Sequence, residues 1–381
     1  MDREDSYSVC AFCNVELVGQ SRSKEHVIPN SIGGRLKTAE FICARCNNTK
    51  GDSWDSELAQ QLNWFSLSLG ITRERGVPPG QLVDTVDGRQ YTLLPDGSFS
   101  PKSSYSEELV DGKKRINIVA ASVREAKKRL SGVAKKHPTF NLQQALSELE
   151  IQTAYLDSPL TVELSLGGKA SGRSLVKTAL AFASYCRVPH REFGKALDYL
   201  LEAQAEPPYG HAYLSDLVIN RDRKTIFHCV SLKSDSDKNR LWSYIEYFGM
   251  FRVLVLINDN YIGPIIDETY ALNPITGEEI DVEVNSNIAD EEFIKIINGE
   301  GFDTAVQRAA ADLALPILIE RSEQRTLEGA VRAGFAYAAK TLGIAEGEEI
   351  SLERAEEFTA LMMEKITPYL SHLIRSSRQR L

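Results

Sequence analysis

Two cysteine pairs, Cys10-x2-Cys13 and Cys43-x2-Cys46, carry the clearest chemistry in this sequence. Two residues between cysteines let both sulfurs face one ion, and four thiolates close a tetrahedral zinc site at about 2.3 Å per bond. A site closed in this way has no open position, so this zinc is expected to staple the chain and not to catalyse. Reduced buried thiols or an iron–sulfur cluster are the competing readings. The wide separation of the pairs and the lack of redox residues near them favour zinc. Between the pairs lie residues 14–42, too many for an ordinary zinc ribbon. Within that insert a carboxylate and a histidine, Glu25 and His26, stand side by side ahead of Val27-Ile28-Pro29 and a Gly33-Gly34 turn. A histidine near a carboxylate is more often a plain ion pair than a catalytic device, so the flanking knuckles are what single this pair out.

The elements that must position these residues are short. His26-Val27-Ile28 reads as a β run, Pro29 closes it, and Glu40-Phe41-Ile42-Cys43 re-enters as a second strand. The second knuckle then starts a helix at about Asn47, with Trp54, Leu58 and Leu62 as its inward face. A hairpin laid against a helix, both pinned by zinc, brings Glu25, His26 and Asn47 near one another across a small concave surface.

Taken in order, Cys10-x2-Cys13, Glu25-His26-Val27-Ile28-Pro29-Asn30-Ser31-Ile32-Gly33-Gly34 and Cys43-x2-Cys46-Asn47-Asn48-Thr49-Lys50-Gly51 resemble an HNH endonuclease domain of the ββα-metal type. The similarity is greatest to the bacterial branch with paired zinc knuckles, and it covers only residues 8–60. It implies a treble-clef-like fold and hydrolysis of DNA phosphodiester bonds to 5′-phosphate and 3′-hydroxyl ends. By the same resemblance His26 is the general base, since an imidazole of ordinary pKa is largely neutral at cellular pH. Glu25 then matches the metal-binding carboxylate, and Asn47, or Asn48 if the helix starts one residue later, completes the metal site through its side-chain oxygen. One carboxylate, one amide oxygen and several waters suit Mg²⁺ or Mn²⁺, which stabilises charge on the scissile phosphate and the leaving 3′-oxygen. Arg35 and Lys50 are the expected phosphate contacts. The family's middle asparagine, which orients the base, falls near Thr38, with Glu40 the nearest other polar residue; a backbone carbonyl is the alternative holder. The resemblance further implies a role in defence against phage or other foreign DNA.

At 381 residues the chain exceeds one hydrophobic core, so two or three domains are expected. Apolar content of 43% and charged content of 25% describe an ordinary globular protein, and no apolar run is long enough to span a membrane. The acidic start MDREDSYSV argues against a secretory signal and six sparse cysteines argue against a disulfide scaffold, so the cytoplasm is the expected compartment. A net charge of −9 excludes a uniformly basic body wrapped around nucleic acid. Basic residues nonetheless gather between Arg22 and Lys50 and between Asp111 and His137. In the second group Lys127 and Lys128, on a helix begun by Ser122, are candidates to touch double-stranded DNA. The basic chain end, IRSSRQRL, is a weaker one.

The expected class is α+β: the HNH-like domain at 1–65, an α+β accessory or recognition domain with antiparallel strands at 66–300, and a helical region at 301–381 packed on it. GVPPG at 76–80 reads as a linker, and Asp-Gly at 87–88, 96–97 and 111–112 predicts an antiparallel meander over 81–120. Residues 170–187 read as a helix buried all round, and 224–232, 240–248 and 250–257 as strands. Gly343 is a predicted helix C-cap, and the last helix should bury Leu352, Ala355, Phe358, Met362, Ile366 and Tyr369. Cys186 and Cys229 read as inert core thiols, His228 lacks partners for a metal, and GKASG at 168–172 lacks the spacing of a nucleotide loop. Two other functions compete. One is a non-catalytic zinc-knuckle module that binds nucleic acid, which the missing asparagine supports; the other is a nuclease held silent until an activator protein or a small molecule triggers it.

Overall fold

The computed structural model describes residues 9–150, 155–202 and 204–379; the acidic start at 1–8 and the last two residues of the basic chain end lie outside the described residues. The chain divides into two compact units, Met1–Pro78 with Leu164–Arg321, and Pro79–Glu163 with Ser322–Leu381. These boundaries do not coincide with cuts at residues 65 and 300. Phe65 stacks on Phe248 with ring centroids 5.0 Å apart, so the cysteine-bearing segment shares one core with a sheet nearly two hundred residues away in sequence.

Within the first unit, β1 (Glu25–His26) pairs antiparallel with β2 (Lys37–Thr38), Glu25 opposite Thr38 and His26 opposite Lys37. The second strand is therefore not Glu40–Cys43. Phe41 and Ile42 are fully buried and anchor that stretch in the core, and Cys43 makes a single bridge to Arg22. The turn between the strands depends on its glycines. Gly33 takes a φ of 103°, and a Cβ on Gly34 would lie 1.8 Å from the Ile28 carbonyl oxygen. Next comes α1 (Ala44–Cys46), continued by a π-helical turn (Asn47–Gly51) into α2 (Asp52–Gln61), and then α3 (Asn63–Leu69). The helix starts three residues before Asn47 because Cys43 caps it, its Sγ accepting the Cys46 amide at 3.4 Å. Trp54, Leu58 and Leu62 face inward as predicted.

The second unit begins with β3 (Gln81–Thr85), β4 (Gln90–Leu93) and β5 (Phe99–Pro101), then a separate hairpin of β6 (Ser104–Val110) and β7 (Lys113–Val119). It continues through α4 (Val123–Lys136) and α5 (Leu142–Ser147) to β8 (Leu160–Thr161), which joins the sheet in the order β5-β4-β3-β8. Gly88, Gly97 and Gly112 all have positive φ, as the Asp-Gly turns require. Ser122 caps α4 by accepting the Glu125 amide at 3.2 Å.

The first unit resumes with α6 (Lys169–Tyr185), α7 (Gly194–Leu201), β9 (Tyr209–His211), β10 (His228–Asp235), β11 (Arg240–Tyr247), β12 (Phe251–Asn258), β13 (Asp267–Leu272) and α8 (Asp290–Lys295). The five strands form an antiparallel sheet in the order β13-β10-β11-β12-β9. Both faces are covered: Val230, Ile245, Val253 and Val255 join the core that contains α6, while Cys229, Trp242, Tyr244 and Leu254 pack with Phe293 and Ile296. Two buried faces explain why these strands read as continuous apolar runs. Every residue of α6 from Ser171 to Ser184 is buried, against α2, β1 and β2 as well as the sheet. Next, α9 (Thr304–Leu342) starts in the first unit, and α10 (Leu352–Gln379) belongs to the second. Gly343 ends α9 with a φ of 66°. Phe358, Ile366 and Tyr369 are buried as predicted, whereas Leu352, at the first position of α10, is exposed. Among the described residues no helix is long and apolar enough to cross a membrane.

Candidate active site and metal centre

Cys10, Cys13, Cys43 and Cys46 bring their Sγ atoms within 4.8 Å of one another. Cys13 Sγ and Cys43 Sγ are 3.8 Å apart, which matches the edge of a tetrahedron with about 2.3 Å from centre to sulfur. Asn14 folds the first knuckle in the left-handed region, at a φ of 57°, and the Cys10 amide closes it on the Val15 carbonyl at 2.7 Å. The amides of Phe12 and Cys43 point at Cys10 Sγ, at 3.4 and 3.3 Å. Amide protons aimed at sulfur stabilise thiolates, so the donor set fits a structural zinc ion.

His26 lies on the side of β1 opposite Glu25, as strand alternation dictates. Its Nε2 is 3.3 Å from Glu74 Oε1, and the other oxygen of Glu74 accepts from Lys37 Nζ at 2.7 Å. Asn30, in the turn, holds Glu74 in place by accepting its backbone amide at 2.9 Å. The carboxylate that faces the imidazole is thus Glu74, outside the matched motif, at ion-pair distance but without hydrogen-bond geometry to Nε2. Thr38 is buried and Glu40 is paired with Arg22 and Arg187, so neither reaches His26. Burial pulls the His26 imidazole below its usual pKa, Glu74 pushes it up, and Lys37 and Lys177 pull it down. The ring is therefore neutral near pH 7, and 21% of the side chain remains exposed.

On the other side of β1, Glu25 and Asn47 do meet, and Asn47 favours the charged form of the Glu25 carboxyl. A third group meets them there. Lys177 of α6, with no exposed surface, donates to Glu25 Oε1 and to Asp55 Oδ2, the latter at 2.6 Å; Asp55 also accepts from Ser174 Oγ at 2.6 Å. Burial alone would lower the Lys177 pKa, but Asp55 and Glu25 outweigh it and hold the ammonium above its ordinary value. For Glu25, burial and the neighbouring Asp55 raise the carboxyl while Lys177 pulls it down. Asn47 donates to Ser23 Oγ at 3.1 Å, and its Oδ1 packs so tightly on the helix that a Cβ on Gly51 would sit 2.5 Å away.

This arrangement does not fit a divalent ion at Glu25 and Asn47. Mg²⁺ keeps several waters, whereas Glu25 is 4% exposed, its carboxylate is engaged by an ammonium, and the amide oxygen of Asn47 faces the helix backbone. Asn48 is exposed and offers no substitute. Lys177 and Asp55 were not singled out from the sequence, although one signal was present. A lysine in the fully buried stretch of α6 must find a counter-charge, and Asp55 supplies a share of it from α2. Glu74 carried no local signal.

Of the other expected contacts, Arg35 is turned onto Thr72, donating to its carbonyl at 3.2 Å and its hydroxyl at 3.1 Å. Lys50 lies over the Phe12 ring, 5.7 Å from its centroid. Lys127 and Lys128 are exposed on α4, in the second unit, whereas the cysteines and His26 belong to the first. Burial raises the thiols of Cys186 and Cys229, the former to about 12, in keeping with inert core residues. His228 is buried and accepts the Phe248 amide at Nδ1, which leaves Nε2 to donate to the Ile32 carbonyl at 2.8 Å. It ties the Gly33-Gly34 turn to the sheet.

No curated protein and no solved structure matches the chain. Residues 10–63 match the family model for HNH endonuclease. The match runs from the first knuckle past the second and takes in the β1–β2 hairpin, Asn47 and α2, so this segment of the chain is similar to HNH endonuclease domains.

Proposed function

We propose that this protein is an endonuclease that hydrolyses DNA phosphodiester bonds, with His26 as the general base. The observation that carries the reading is the Glu74–His26–Lys37 group on the outer side of a hairpin that lies within the HNH match. A proton on Nε2, facing the Glu74 carboxylate, leaves the Nδ1 lone pair to accept a proton from water. The resulting hydroxide attacks phosphorus, the P–O3′ bond breaks, and the leaving oxygen takes a proton from solvent. Lys37, a third exposed beside His26, is the nearest cation for phosphate charge. The four-cysteine zinc site holds the hairpin and the helix in register and takes no part in the chemistry. Supercoiled plasmid incubated with the zinc-loaded protein, with and without Mn²⁺, tests the proposal. Cleavage by the wild type, lost in His26→Ala while DNA binding survives, is the expected result.

A second reading is favoured by Lys177. With an ammonium where the family places a divalent ion, the domain acts as a nucleic-acid-binding module that does not cut. DNA binding without cleavage under any divalent ion supports it over the first.

A further inference from the structure

The cluster of Lys177, Glu25, Asp55 and Asn47 goes beyond a disagreement with an expected metal. Its cation comes from α6, outside the matched segment, on a helix whose other neighbours are the five-stranded sheet and α7. The ammonium reaches two carboxylates from two elements, Glu25 of β1 and Asp55 of α2, and so occupies the point where hairpin and helix meet. Gly51 makes room for the Asn47 amide beside it: a Cβ there would lie 2.5 Å from Asn47 Oδ1, and 3.7 Å, an ordinary contact, from Lys177 Nζ. Ser174, one turn before Lys177, holds Asp55 from the same helix face. A divalent ion at Glu25 would have to share one carboxylate with a fixed positive charge at hydrogen-bond distance, in a region where water does not screen the repulsion.

We propose that the Lys177 ammonium is the resident cation of this HNH-like site and takes the place of a divalent ion between Glu25 and Asn47. Lys177 is then a positioning residue. Fully buried, it touches no DNA; it neutralises Glu25 and fixes the strand whose other side presents His26. The inference rests on the reading of residues 10–63 as an HNH-like site and deepens it.

The test counts bound Mn²⁺ on the zinc-loaded full chain by electron paramagnetic resonance, without DNA, for wild type, Glu25→Gln, Asn47→Ala and Lys177→Met. Wild type, Glu25→Gln and Asn47→Ala are expected to bind the same number of Mn²⁺ ions. Lys177→Met should gain one, which Lys177→Met with Glu25→Gln loses again. If Lys177→Met does not fold, the comparison of wild type with Asn47→Ala decides. One Mn²⁺ per wild-type chain, weakened tenfold or more by Glu25→Gln or Asn47→Ala, would overturn the proposal. Plasmid cleavage is read in parallel. Glu25-dependent Mn²⁺ binding with cleavage sinks the Lys177 inference and leaves the nuclease reading standing. No such binding and no cleavage does the reverse.

Discussion

At the scale of single residues, the decisive pair is His26 and Glu74. At a separation of 3.3 Å, Glu74 would serve as a positioning group for the proposed base, and its carboxylate is held low in pKa, first by Lys37 and then by His26. Glu74→Ala should therefore forfeit part of the roughly 10²–10⁴-fold that a placed base contributes to a rate. It should also move the acid limb of the pH–rate profile. The base works unprotonated, so the rate rises with pH through the His26 pKa; Glu74 raises that pKa, and its loss shifts the limb to lower pH. A profile that stays in place would show that Glu74 only happens to lie nearby. Lys37 faces the same ring and pulls its pKa the other way, so Lys37→Met is expected to shift the limb upward.

At the scale of elements, the hairpin and helix are fixed by covalent geometry and by metal. The Gly33-Gly34 turn works because a side chain at residue 34 would collide with the Ile28 carbonyl. Gly34→Ala should destabilise the zinc-loaded protein by more than about 2 kcal/mol in urea unfolding, since the buried backbone at Ile28 would have to move. The knuckles behave as one device. Cys43 is at once a metal ligand, the cap of α1 and the bridge partner of Arg22. Cys43→Ser should abolish zinc binding and expose Trp54, read as a red shift of its fluorescence, because the insert between the knuckles has little regular structure of its own.

Across the whole molecule, buried charge joins the HNH-like segment to the rest of the first unit. Removing Lys177 leaves Glu25 buried without a counter-charge, and Lys177→Met is expected to lose about 3–5 kcal/mol of stability. His228 makes a second tie, from the sheet to the turn at Ile32, and burial holds its pKa down at about 4. A folded-state pKa below the unfolded value means that the unfolded chain binds the extra proton, so stability is lost as pH falls below about 6.5. Between pH 7.5 and 5 the loss should be about 2 kcal/mol, and His228→Gln should flatten that part of the profile.

Much was legible in the chain because it depends on local rules. Cysteine spacing announces the metal centre, Asp-Gly announces the hairpins of the second unit, and unbroken apolar runs announce the sheet covered on both faces. The four thiols, the hairpin with Glu25 and His26, and the inward face of Trp54, Leu58 and Leu62 were all determined by the sequence of that segment. Tertiary structure alone decided what stands beside the two site residues. Lys177 lies 152 residues from Glu25 in the chain, and Glu74 reaches His26 with its backbone held by Asn30 and its carboxylate by Lys37. The physical reason is that charge acts through space. A local pattern shows which groups a segment contributes, but the partner that neutralises or orients them is chosen by the packing of distant elements.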